Sequence, residues 1–243
     1  MGESFGRWTL GSDAAVMPFI SSANVACGGH AGDPNVMAAT VRLAKEHGVA
    51  VGAHPGYPDI AGFGRRHLEM SPEEVRNMML AQIGALHAIA RAHGCEISHV
   101  KPHGALYNEA MRDEVLAHAV VKAVWSFSRL IPVFCLPGSE VERAAREEGV
   151  LHVLEGFADR AYESNGSLVH RRKQGAVLQD EKAAVAHALG LAAGEVTAID
   201  GTPIPLTVGT ICIHGDNPSA VAIVRAVRSA LESAGYAVSP PAK

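Results

Sequence analysis

The sequence predicts an α/β fold built on a parallel sheet and closed as a single β/α barrel, on three observations. Its 243 residues match the roughly 250 of a complete barrel domain. Short apolar runs alternate with longer segments of helical period along the whole chain. No G-x-G-x-x-G follows the first of those runs, which removes the main support for a nucleotide-binding doubly wound sheet. Composition agrees with a well-buried core: 48% of the residues are hydrophobic and 19% charged, as in ordinary globular chains.

The predicted strands are residues 23–27, 49–53, 97–101, 131–136, 151–157 and 210–213. They are continuous apolar runs, as expected of parallel strands covered on both faces. Between them the helices carry clear punctuation. Ser71-Pro72-Glu73-Glu74 offers an N-cap serine, a proline at the first helical position and a glutamate at the third. Val75, Met78, Met79, Ile83 and Leu86 then follow at helical spacing. Asp33-Pro34 and Asn217-Pro218 open two further helices in the same way. Helix exits are expected at Glu46-His47-Gly48, Ala92-His93-Gly94 and Glu147-Glu148-Gly149, where glycine suits the left-handed position after a helix. No linker divides the chain, so residues 1–238 read as one domain and 239–243 as a disordered tail.

Charge and cysteine content narrow the functional classes. With 21 basic and 25 acidic residues the formal charge is −4, which gives no electrostatic ground for binding nucleic acid or an anionic membrane. Two local clusters, Arg65-Arg66-His67 and Arg171-Arg172-Lys173, could meet an anion or be solvated loop charges. The N-terminus lacks the apolar core of a signal peptide, and no apolar run reaches the roughly 18 residues a membrane span needs. Cys27, Cys95, Cys135 and Cys212 form no C-x-x-C pair and suggest neither a zinc site nor a disulfide framework. A soluble cytoplasmic protein is expected.

The functional signal lies in the residues just beyond each strand. The first strand is followed by Gly28-Gly29-His30 and Asp33, and the second by His54-Pro55-Gly56-Tyr57-Pro58-Asp59. The third runs through Lys101 into Pro102-His103-Gly104; the fifth leads to Asp159-Arg160 and the last to His214-Gly215-Asp216. In a barrel these carboxyl ends meet on one face, where barrel enzymes build their sites. His30, His54, His103 and His214 serve packing poorly at such positions. Lys101 would be costly to bury unpaired, so its structural alternative is an ion pair with Asp159 or Glu155. Asp33 and Asp216 could instead be helix N-caps, and Asp59 a turn former. His47, His87, His93, His118 and His187 fall on helices or helix ends and read as surface or packing residues.

Several of these stretches resemble the signature blocks of the LamB/YcsF family. They are Gly2-Glu3-Ser4-Phe5-Gly6, residues 21–34, residues 52–59, Gly62-Phe63-Gly64-Arg65-Arg66, residues 99–108, Phe157-Ala158-Asp159-Arg160 and residues 212–216. They occur in order over essentially the whole chain. The resemblance implies a seven-stranded, TIM-like barrel of the glycoside hydrolase/deacetylase type. It also implies the A subunit of an ATP-dependent 5-oxoprolinase, which works with B and C subunits to open 5-oxo-L-proline to L-glutamate, with ATP as co-substrate of the complex. A homo-oligomer is compatible with this. Members ordinarily begin with a short strand ending in an acidic residue before the Gly-Glu-Ser block. This chain starts on that block, so the first barrel strand is expected to be missing, with a misassigned start codon as the preferred account. Gly29, Gly156, Gln174 and Gly209 are smaller departures from the family pattern.

The expected chemistry is activation of the ring amide oxygen followed by attack of water. His30, His54, His103 and Asp159 are the candidate catalytic residues. Asn24, Asp33, Tyr57, Lys101, Arg160, His214 and Asp216 are the candidate substrate-binding residues, with Lys101 or Arg160 holding the substrate carboxylate. One histidine among His30, His54 and His103, oriented by Asp33 or Asp159, would act as base. Donors in the Gly28-Gly29 and Gly104 loops would meet the developing oxyanion. Two alternatives stand beside this scheme. One is a deacetylase-like hydrolase holding a divalent metal through His30, His54 and His214; the scheme itself assigns no metal ligand. The other is a non-catalytic substrate-binding or regulatory subunit. No P-loop is present, so ATP handling is unconventional or resides in a partner.

Overall fold

The six apolar runs become the six strands of one parallel sheet. The structure, a computed structural model, describes residues 1–215 and 219–240. The chain opens with α1 (Asp13–Val16) and a 3-10 turn (Met17–Phe19), then β1 (Ser22–Ala26), α2 (Pro34–Glu46), β2 (Ala50–His54) and α3 (Pro72–Ala92). There follow β3 (Ile97–Val100), α4 (Gly104–Ala110), α5 (Glu114–Phe127), β4 (Val133–Cys135), α6 (Glu140–Glu147) and β5 (His152–Phe157). The last part holds α7 (Glu181–Ala193), β6 (Glu195–Thr197), β7 (Pro203–Pro205), β8 (Thr210–Cys212) and α8 (Ala220–Ser233).

The strand order is β1-β2-β3-β4-β5-β8, and every neighbouring pair is parallel. This sheet curls into a half-barrel that, among the described residues, is open between β1 and β8. The strands β6 and β7 stand apart as a small antiparallel pair, which the sequence did not suggest. Beside β1 the Met1 ammonium donates to the Asn24 carbonyl (2.9 Å), and the Ala26 N–H donates to the Met1 carbonyl (3.0 Å).

Local sequence explains the helices that brace the sheet. In α3 the capping box forms as predicted. The Glu74 N–H donates to Ser71 Oγ (3.3 Å), and the Ser71 N–H donates to Glu74 Oε2 (2.7 Å). The same helix buries Val75, Met79, Ile83 and Leu86 and packs against α5. Gly48, Gly94 and Gly149 follow α2, α3 and α6 with φ of +66°, +71° and +66°, so all three predicted exits hold. Asp33 opens α2, whereas the Asn217-Pro218 helix start and the tail beyond residue 240 lie outside the described residues. Cys27 and Cys135 are buried free thiols, consistent with small core hydrophobes. Among the described residues no helix is long and apolar enough to cross a membrane.

Candidate functional site

The carboxyl ends of β2, β3, β5 and β8 border one cleft of ≈ 1070 Å³, which β1 lines through Ser22 and Asn24. Asn24, His54, Lys101, His103, Arg160 and His214 all line it. The wall is rich in cations: Arg65, Arg66, Arg112, Arg171 and Arg172 join Lys101 and Arg160, against Glu3, Glu109 and Glu155. In a chain of net charge −4 this concentrates positive potential where strand ends meet, and such a cleft attracts anions.

Burial decides how the lysine behaves. Lys101 Nζ lies 2.7 Å from Glu155 Oε1, with the two side chains 6% and 1% exposed. It also contacts Cys212 Sγ (3.1 Å) and stands over the Phe157 ring (4.7 Å). Tyr107 OH donates to the other Glu155 oxygen at 3.1 Å. Burial pulls the Lys101 pKa down, but Cys212 and Glu155 outweigh it and hold the amine above the ordinary lysine range. Of the two sequence alternatives for a partner, the structure forms the one with Glu155.

A histidine cluster forms the inner wall. His30 and His103 stack face to face (centroids 3.6 Å, interplanar 5°), and His54 meets both edge-on at 5.6 and 4.9 Å. His54 Nδ1 lies 2.6 Å from the Lys101 carbonyl and His103 Nε2 lies 2.8 Å from the Phe63 carbonyl. A carbonyl oxygen can only accept, so each of these nitrogens carries the proton. The remaining His54 Nε2 and His103 Nδ1 then face each other at 3.1 Å, lone pair to lone pair. Burial, reinforced by neighbouring histidines and cations, holds His54 well below its ordinary value. Burial likewise pushes His103 down to about 3 and His30 down to about 2. The rings are therefore neutral near pH 7. His30 is 1% exposed, and neither of its nitrogens has a hydrogen-bond partner. Such a buried orphan costs about 1–3 kcal/mol. Glu3, His30 and His103 also offer ligand atoms within 4.8 Å of one another.

A second polar group sits across the cleft. Asp159 is 1% exposed; its carboxylate accepts the His214 N–H (3.0 Å) and approaches His214 Nδ1 at 2.9 Å. Burial pushes the Asp159 carboxyl up, but the His214 contacts outweigh it and leave the pKa below the ordinary carboxylate value. Arg160 is anchored by Nε to the Ala176 carbonyl (3.2 Å) and by Nη2 to the Val169 carbonyl (2.6 Å).

Several expected placements need correction. Asp33 does not line the cleft: it caps α2, accepting from the Asn35 (2.8 Å), Val36 (3.1 Å) and Gly6 (2.7 Å) amides. Those three N–H groups saturate its near acceptor positions and turn it away. Tyr57 is buried beneath the cleft wall, its hydroxyl donating to Glu109 Oε2 at 2.7 Å. Neither Asp33 nor Asp159 orients the histidine cluster; backbone carbonyls do. The Gly28 N–H is spent on the Ala31 carbonyl (2.8 Å), so it is no oxyanion donor. Asp59 is a turn residue, accepting the Gly62 N–H and pairing with Arg66. Asp216 lies outside the described residues.

Two contributors, Glu3 and His99, escaped the sequence reading. Glu3 lies in the Gly-Glu-Ser stretch, away from any strand end, yet it reaches the cluster. His99 is buried within β3, bonded to Asn24 Oδ1 (2.9 Å) and stacked on Phe134 (4.0 Å). A Cβ at Gly52 would collide with the His99 ring, so the neighbouring strand keeps glycine there. Glu155 carries a signal that was legible: a lone acid inside an apolar run.

The LamB/YcsF family model matches residues 1–243. The chain belongs to the LamB/YcsF family. Two relatives, each named as the A subunit of 5-oxoprolinase, are 55% identical (Chloroflexus aggregans) and 53% identical (Pyrococcus furiosus) over 241 residues. The alignments cover 99% of this chain and 96% and 94% of those relatives. Among solved structures, the lactam utilization protein of Thermus thermophilus superposes with a TM-score of 0.94 at 47% identity. That match covers 98% of this chain and 96% of the other, so this LamB/YcsF member shares its fold throughout.

Proposed function

We propose that this chain is the A subunit of an ATP-dependent 5-oxoprolinase, a cytoplasmic hydrolase that opens 5-oxo-L-proline to L-glutamate together with B and C subunits. The observation that carries the reading is near full-length identity above 50% to proteins named as the A subunit of 5-oxoprolinase. The cleft suits it. A small lactam bearing a carboxylate, and a phosphorylated co-substrate, are both anions, and Arg160 is fixed at the cleft wall by two carbonyls. In this scheme Arg160 and Lys101 orient the substrate carboxylate, with Asn24 and His214 beside them. His54 and His103, the cluster histidines that face the cleft, attend the amide carbon and its attacking water. ATP is bound by the assembled complex. We further read the half-barrel as a seven-stranded TIM-like barrel of the glycoside hydrolase/deacetylase type. The Met1 pairing at the β1 edge supports a strand position between β1 and β8.

The test reconstitutes the chain with its B and C partners and follows glutamate and ADP. Glutamate is expected only when all three subunits are present. His103→Ala and Asp159→Ala are each expected to abolish it while circular dichroism stays that of the folded chain. Near-normal turnover by either variant would sink the residue assignment; absence of 5-oxoproline turnover by the native complex would sink the functional reading.

A further inference from the structure

We propose that Phe63 is the positioning residue of His103: the turn between β2 and α3 holds the Phe63 backbone left-handed, and in that conformation its carbonyl selects the His103 tautomer. Phe63 has a φ of +55°, and among the described residues it is the one non-glycine with a positive φ. A bulky side chain in that region is a backbone outlier, and such strain persists only where the surroundings over-determine it. The carbonyl that this conformation directs lies 2.8 Å from His103 Nε2 and accepts its proton. The ring adds edge-on contacts to His30 and His103, with centroids at 5.4 and 5.3 Å.

Contacts on both sides of the turn hold it in this shape. The buried Asp59 carboxylate accepts the Gly62 N–H (2.9 Å) and clasps the Arg66 guanidinium through Nε (2.9 Å) and Nη2. The Phe63 N–H donates to the Ile60 carbonyl (3.1 Å) and the Gly64 N–H to the Asp59 carbonyl (2.9 Å). The Gly64 carbonyl accepts the Ala105 N–H (2.9 Å), which ties the turn to α4 directly after His103. Two glycines make the fit possible. A Cβ at Gly62 would collide with Asp59 and Arg66, and one at Gly64 would come within 2.7 Å of the His30 Cβ. The stretch Gly62–Arg66 therefore clamps Phe63 between an ion pair and the stacked histidines.

The clamp matters because His103 has two places to put one proton. Burial keeps its ring neutral, so either Nε2 or Nδ1 carries the hydrogen. A proton on Nδ1 would find an acceptor at once: the bare His54 Nε2 lies 3.1 Å away, its own ring proton spent on the Lys101 carbonyl. That tautomer would occupy both facing lone pairs in one N–H···N bond and aim a bare His103 Nε2 at the Phe63 oxygen. The Phe63 carbonyl opposes it, since two acceptors face to face repel and the Nε2–H···O bond is the shorter of the two. With Phe63 in place, His103 Nδ1 and His54 Nε2 both keep their lone pairs. The 5-oxoprolinase reading needs them, because only a lone pair accepts a proton from attacking water; the tautomer itself does not rest on that reading.

The experiment records two-bond ¹H–¹⁵N spectra of the full chain labelled at histidine, with His103 assigned from His103→Ala, and measures turnover of the three-subunit complex beside it. The native chain is expected to show His103 protonated at Nε2. Phe63→Val has a branched β-carbon that resists left-handed backbone. It is expected to move His103 towards the Nδ1–H form and to lower kcat about tenfold to hundredfold, with KM within about threefold of native. Phe63→Asn also loses the ring but tolerates a positive φ, and is expected to keep the Nε2–H form and a kcat within about threefold of native. Asp59→Asn weakens the clasp without altering any group in contact with His103. It is expected to shift the tautomer as Phe63→Val does, and it keeps the test decisive where Phe63→Val fails to fold. Retention of the Nε2–H form in both Phe63→Val and Asp59→Asn overturns the proposal, as does a Phe63→Asn variant that shifts as far as Phe63→Val. A shifted tautomer with undiminished turnover leaves the positioning standing and overturns the catalytic reading of His103; reduced turnover with an unshifted tautomer does the reverse.

Discussion

Glu155→Gln isolates the energetics of the buried ion pair. The substitution keeps shape and leaves Tyr107 a hydrogen-bonding neighbour, but it removes the negative charge 2.7 Å from Lys101 Nζ. The ammonium then remains among Phe157, Tyr107 and Cys212 with no carboxylate against it. Breaking one side of a buried pair costs about 3–5 kcal/mol. A domain of this size loses about 2–4 °C per kcal/mol, so the melting temperature should fall by roughly 6–20 °C. Replacing both partners, as Lys101→Met with Glu155→Leu, removes both desolvation penalties and is expected within about 1 kcal/mol of the native chain or above it. Scanning calorimetry and urea unfolding of Lys101→Met, Glu155→Leu and the double variant close a double-mutant cycle, with Glu155→Gln measured beside it. A Glu155→Gln variant within about 1 kcal/mol of native, or a double variant as unstable as the sum of the singles, would refute the assignment.

Three further outcomes rest on other contacts. Gly52→Ala drives a Cβ into the His99 ring and breaks its bond to Asn24, so urea unfolding should show a loss of about 1–3 kcal/mol. Because the folded Asp159 pKa is depressed, the Asp159–His214 contribution is fully present above the unfolded value of about 3.9 and is lost as pH falls through the folded one. Urea midpoints should therefore fall below about pH 4 more steeply in the native chain than in Asp159→Asn; parallel curves would contradict the pairing. Arg160→Lys cannot bond both the Ala176 and Val169 carbonyls, so trypsin should cut at Arg171 or Arg172 faster in the variant, and equal cutting rates would argue against the anchor.

Most of the fold was legible because parallel strands advertise themselves locally. An apolar run between a glycine exit and a polar loop needs no long-range information, and all six such runs became sheet strands. The pair β6–β7 was not legible: each strand has three residues, and Pro203 and Pro205 argue locally against a ladder. The site divides along the same line. His54, Lys101, His103, Arg160 and His214 lie at or just beyond strand ends, and the fold carries all of them to the cleft. His99 and Glu3 depend on partners far off in sequence: His99 meets Asn24 across 75 residues, a distance no local pattern reports. Asp33 shows why strand ends alone mislead. In a β/α unit the residues after a strand are also those before a helix, so the positions that can face the site and the position that must cap the helix adjoin. His30 and Asp33 share one loop, yet one enters the cluster and the other spends its carboxylate on the Gly6, Asn35 and Val36 amides. Residue type cannot separate those fates; the direction in which the turn sends each side chain does. The His54–His103 contact required still more, since the two carbonyls that fix the tautomers belong to Lys101 and Phe63, groups whose side chains are read for other reasons.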